Sequence, residues 1–133
     1  MQDKWNPTKK EIVEWANSDK IIPTQDWELA LFNLGDYSKI YIICDYANTE
    51  NHPKKDFFLG TLYVLSGDTI NYEDKKAIHQ LSNLLKDIKR KYHSKDIKEW
   101  INRTEKLIEN PSLYSYEYWG IGSNYVYTNS IEK

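Results

Sequence analysis

The chain has 133 residues, 40% hydrophobic and 29% charged, with a net charge of −2; that is the scale of one domain burying its own core without metal or disulfide support. No run approaches the roughly 18 apolar residues of a membrane span, and Cys44, the sole cysteine, has no intramolecular disulfide partner. Met1 to Pro7 lack the basic-then-apolar layout of a secretory signal, so a reducing cytoplasm is the expected compartment.

Thr8 to Glu11 is a Thr-x-x-Glu capping box, which opens a helix by satisfying free backbone donors from both ends of the box. Ile12, Trp15, Ala16 and Asp19 follow at i, i+3, i+4 and i+7, so three of the four put apolar surface on one stripe. Pro23 interrupts, and Thr24 can cap a second helix with Asp26 and Glu28 in its first turn. Trp27, Ala30, Leu31 and Leu34 repeat the helical spacing, and Gly35 supplies a left-handed stop.

Residues 36 to 49 carry two signals. Tyr37 and Ile40 to Ile43 have strand propensity, whereas Ile40, Ile43, Cys44 and Ala47 fit a helical stripe, and no turn dipeptide nearby makes a hairpin. A helix is the reading adopted. Pro53 then stands early in an apolar helix built on Phe58, Leu62 and Leu65, with Gly67 as its expected terminator. From Asn71, read as a cap with Glu73 and Asp74 in the first turn, the stripe Ile78, Leu81, Leu85, Ile88 and Tyr92 predicts a helix to Tyr92. Ser94 opens another, with Ile97, Trp100, Ile101, Thr104 and Ile108 inside, and Asn110-Pro111 closes it. The tail differs: Tyr114 to Trp119 alternates in part, Gly120 to Asn124 reads as a turn, and Tyr125-Val126-Tyr127 fits a returning strand. The expectation is therefore an all-α single domain over 1–133. About six helices fill the body, 8–110, and 111–133 form an aromatic extended segment or small hairpin; α+β is the alternative.

Motifs for chemistry are sparse. One Cys and the scattered His52, His79 and His93 lack zinc-ligand spacing. Gly120-x-Gly122 lacks the third glycine of a dinucleotide loop, and neither a phosphate loop nor a Gly-x-Ser-x-Gly elbow occurs. Cys44 lies in an apolar run, where a thiol is normally inert. The reading is a chain with no cofactor and no metal, and not an enzyme.

Charge and aromatics leave binding surfaces to weigh. Residues 1–74 hold 7 Lys/Arg against 13 Asp/Glu, and residues 75–133 hold 11 against 7; such asymmetry steers a charged partner unless the fold interleaves the halves. Asp26 and Glu28, two positions apart on a helix, diverge and do not form an acid/base pair. They stabilise a helix start or meet a partner, and Asp45 and Asp56 can join them in an acidic patch. The basic cluster Lys86, Lys89, Arg90, Lys91, Lys95 and Lys98 reads as a solvated helical face or a phosphate contact. The aromatic tail either covers the core or supplies interface anchors.

The pattern Glu11-Ile12-Val13-Glu14-Trp15-Ala16, then Pro23-x-Gln25-Asp26-Trp27-Glu28-Leu29-Ala30-Leu31, then Asp56-Phe57-Phe58-Leu59-x-x-Leu62-Tyr63-x-Leu65-x-Gly67-Asp68 resembles small helical bacterial immunity proteins of contact-dependent growth inhibition and polymorphic-toxin systems. The likeness spans residues 11 to 68. It implies an antitoxin that binds a cognate toxin domain, often a nuclease, by stoichiometric occlusion in the cytoplasm of the producing cell. Under that implication Asp26, Glu28, Asp45 and Asp56 are the charge candidates, and Tyr116, Tyr118 and Trp119 the anchors. Two other classes stay open. A nucleic-acid-binding regulator would use the basic 86–98 stretch with the C-terminal aromatics, and an enzyme would need carboxylates converging in a pocket.

Overall fold

Thr8 opens the first helix as its spacing predicts: its hydroxyl accepts from the Glu11 N–H at 3.1 Å, and the Glu11 carboxylate accepts from the Thr8 N–H at 3.0 Å. The computed structural model describes residues 8–18, 37–115 and 119. We number its helices α1 Lys9–Ala16, α2 Ile40–Ala47, α3 Lys55–Asn71, α4 Lys75–Lys91 and α5 Lys95–Glu109, followed by a 3-10 turn at Pro111–Leu113. Among the described residues every regular element is helical, so the all-α expectation holds there and the α+β alternative does not. The expected helix after Thr24 lies outside the described residues. So does most of the expected extended segment or hairpin; the Trp119 N–H donates to the Ser115 carbonyl at 2.8 Å, a four-residue spacing that belongs to helical turns and not to strands.

The ambiguous stretch resolves as α2. Its stripe decides: Ile40, Ile43, Cys44 and Ala47 are all buried, and a helix is the conformation that sets these four positions on one face. That face lies on α3, the helix with which α2 shares its most extensive contact.

Helix α3 is the axis of the bundle. Thirteen of its seventeen residues are buried, so it has no solvent stripe and needs neighbours all round; α2, α4 and α5 each pack against it. Pro53 falls just before the helix, in the turn, with Lys54 at the N-cap. Gly67 does not end it, contrary to expectation. The helix runs four residues further, to Asn71, although a glycine inside a helix is worse than alanine by roughly 0.5–1 kcal/mol. Tertiary packing overrides that preference. The actual stop is Glu73, which takes the left-handed conformation at φ 58° and donates its N–H to the Ile70 carbonyl at 3.1 Å. A left-handed residue just past the cap is how helices commonly end, normally with glycine.

Asn71 is accordingly the last residue of α3 and not the cap of α4. Asp74 performs the capping, accepting from the Lys76 and Ala77 N–H groups at 3.0 and 3.1 Å. Leu81, Leu85, Ile88 and Tyr92 line the buried face as expected, with Ile78 partly buried beside them. Ser94 caps α5 through the Ile97 N–H at 3.2 Å, and Ile97, Trp100, Ile101, Thr104 and Leu107 are its buried face. No helix among the described residues is long and apolar enough to cross a membrane.

Candidate functional site

Two helices meet at the surface through tyrosine and carboxylate side chains. On α2, Tyr41 and Asp45 are four residues apart and share a face; opposite them stand Asp87, Arg90 and Lys91 of α4 and Tyr92 at its C-cap. The Tyr92 hydroxyl donates to Asp45 Oδ1 at 2.6 Å and lies 3.2 Å from the Tyr41 carbonyl. The Tyr41 hydroxyl donates to Asp87 Oδ2 at 2.5 Å. Asp87 Oδ1 also takes an Arg90 guanidinium N–H at 3.0 Å, and the Lys91 ammonium is 3.6 Å from Oδ2. The same ammonium sits 4.5 Å from the centroid of the Tyr41 ring, within cation–π reach.

These contacts set the protonation of the seam. The hydrogen bond to Asp87, seconded by burial, pushes the Tyr41 phenol up to about 12. Burial and then the Asp45 hydrogen bond push Tyr92 up as well. The Tyr41 hydroxyl, with Arg90, holds Asp87 below the usual carboxylate range. At neutral pH the phenols are therefore fixed donors, and an oxygen of each aspartate has a fixed address.

A second polar junction ties α1 to α3. Trp15 packs edge-on against Phe57 with ring centroids 4.8 Å apart. The Lys54 ammonium lies 4.3 Å from the Trp15 ring centroid. It donates to the Trp15 carbonyl, to the Ser18 carbonyl at 2.9 Å and to Ser18 Oγ at 3.1 Å. Lys54 is only 5% exposed, and it serves as a cation at the carbonyl end of α1, where helices leave acceptors unpaired.

Of the expected site residues, Asp45 is exposed at the seam and engaged by Tyr92. Asp56 is half-buried in the first turn of α3, on a different helix from Asp45. Trp119 is 5% exposed, its ring centroid 5.6 Å from that of Tyr63, so its surface is spent on its own chain. Asp26, Glu28, Tyr116 and Tyr118 lie outside the described residues. Sequence reasoning missed Tyr41, Asp87 and Tyr92. The only available signal was the Tyr41-x3-Asp45 spacing, and its partners stand more than forty residues away.

The basic cluster is partly neutralised within the chain. Lys89 pairs with Glu105 at 3.2 Å, and Arg90 and Lys91 pair with Asp87; Lys86, Lys95 and Lys98 are exposed. Cys44 is fully buried, and burial pushes its thiol up, further from the reactive thiolate. Among the described residues no three His, Cys, Asp or Glu side chains gather as a metal-binding group.

No family model matches this chain, and no curated protein or solved structure matches it.

Proposed function

We propose that this chain is a non-catalytic immunity protein that binds a cognate toxin domain in the cytoplasm and blocks it by occlusion. The observation that carries the reading is Asp45, an exposed carboxylate held in one orientation by the Tyr92 hydroxyl at 2.6 Å. A surface charge fixed before encounter loses less conformational freedom on binding than a free one. A basic surface built for phosphate, such as that of a nuclease, would meet such carboxylates with fast, salt-sensitive association. The ion pairs of Lys89, Arg90 and Lys91 with their own chain's carboxylates weigh against the rival nucleic-acid reading, since those cations are already engaged. Asp26, Glu28 and Asp56 are proposed to extend the acidic surface, with Tyr116 and Tyr118 as anchors.

Co-production with the toxin domain encoded beside it tests the proposal. The expected outcome is restored growth and a one-to-one complex on gel filtration, whereas neither growth nor complex would refute it. Reversing Asp45, Asp26, Glu28 and Asp56 together to lysine should slow association and flatten its salt dependence. Rescue untouched by that change would remove the electrostatic part.

A further inference from the structure

We infer that Trp119 and Gly67 form a knob and socket that latch the chain at Trp119 onto the C-terminal part of α3. Glycine is the poorest helix former after proline, yet Gly67 lies inside the longest run of buried positions among the described residues. The reason is steric. A Cβ added at Gly67 would stand 2.5 Å from Trp119 Cβ, and 3.2 Å from both the Trp119 carbonyl carbon and its oxygen. The first distance is one that real Cβ atoms do not reach, and the other two involve backbone, which yields less than a side-chain tip. Trp119 thus approaches the helix by its own main chain and Cβ, with its ring beside Tyr63, itself 3% exposed. The Trp119 N–H is fastened to the Ser115 carbonyl at 2.8 Å. One methyl group in the socket is enough to lift the knob, and lifting it bares Tyr63 and the α3 backbone around Gly67. The latch is independent of the proposed toxin binding.

Four chains test it by thermal melts read at the helical ellipticity band: the unmodified protein, Gly67→Ala, Trp119→Gly and the double variant. Glycine is chosen at position 119 because alanine would keep the Cβ that makes the contact. Gly67→Ala is expected to lower the midpoint by about 2–8 °C when Trp119 is present. In the Trp119→Gly background the same change should raise the midpoint or leave it, because alanine is the better helix former. A drop of equal size in both backgrounds, or no drop with Trp119 present, would overturn the latch. Amide exchange gives an independent reading: Gly67→Ala should speed exchange at the Trp119 N–H and leave α5 protected, and unchanged Trp119 protection would refute the inference. Should Gly67→Ala fail to fold, a double variant that folds supports the latch, and one that stays unfolded while Trp119→Gly alone folds overturns it.

Discussion

The junction between α3 and α5 and the seam between α2 and α4 both join helices through polar side chains, and they differ in what water can do for them. At the first, the Trp100 indole N–H donates to the Leu62 carbonyl at 3.0 Å and to Ser66 Oγ at 2.9 Å. Ser66 Oγ also accepts from the Thr104 hydroxyl at 3.1 Å. Trp100, Ser66 and Thr104 are all 0% exposed. The groups are neutral, so the junction avoids the penalty of burying an ion, but a broken partner there finds no water. At the seam the bonds involve Asp45 and Asp87, charged and open to solvent to different degrees. A charge-assisted bond is intrinsically stronger than a neutral one, and solvent nevertheless lowers the net cost of losing it. The inner junction therefore contributes more to the fold than the seam does, bond for bond.

The sharpest way to break the comparison is Trp100→Ala, which removes the largest fully buried side chain among the described residues and both of its hydrogen bonds. The expected loss is roughly 3–5 kcal/mol in urea unfolding, and a loss below about 1 kcal/mol would contradict the role given to the inner junction. Ser66→Ala comes next. It changes little volume but strips the Thr104 hydroxyl of its acceptor, so about 1–3 kcal/mol should go, with the denaturant slope unchanged because the same surface unfolds.

The same contrast explains what was legible in the sequence. Helix caps and apolar stripes are local, so Thr8, Ser94 and the runs from Ile40 to Ala47 and from Leu81 to Ile88 could be read from spacing alone. Gly67 and Asn71 misled because their apparent roles as stop and cap are properties of the local chain, whereas their actual surroundings come from elsewhere. Trp119 arrives from 52 residues downstream to occupy the space above Gly67, and Glu73 accepts a backbone conformation normally left to glycine. The seam was invisible for a related reason. Tyr41 meets Asp87 and Tyr92 meets Asp45 across sequence separations of 46 and 47, and no periodicity encodes such a meeting.

Tyr41→Phe sharpens the seam side of the comparison, with a smaller effect at neutral pH than Ser66→Ala. The folded-state phenol is raised from 10.0 to about 12, so its stabilisation is complete below pH 10 and lost as pH rises from 10 through 12. Asp87 is held down, first by this same hydroxyl; its contribution is present above 3.8 and lost as pH falls through the depressed value. Urea midpoints should therefore decline less steeply at both ends of the pH range in Tyr41→Phe than in the unmodified chain. Identical alkaline slopes in the two proteins would show that the bond does not couple phenol and carboxylate.

Glu105→Gln is expected to do least to stability and most to separate the functional readings. The Lys89–Glu105 pair has side-chain exposures of 55% and 41%, so its loss should amount to no more than about 0.5 kcal/mol, shrinking further in high salt. The change nevertheless frees the Lys89 ammonium. If the stretch from Lys86 to Lys98 were a phosphate-binding surface, an unpaired Lys89 would tighten the grip on single-stranded DNA and steepen its salt dependence by about one counterion. A surface whose cations serve the chain's own carboxylates gives no binding before the substitution and none after it. Fluorescence anisotropy with a labelled oligonucleotide at low salt distinguishes the two, and a gain in affinity on Glu105→Gln would favour nucleic-acid binding at the basic end of α4 over toxin binding.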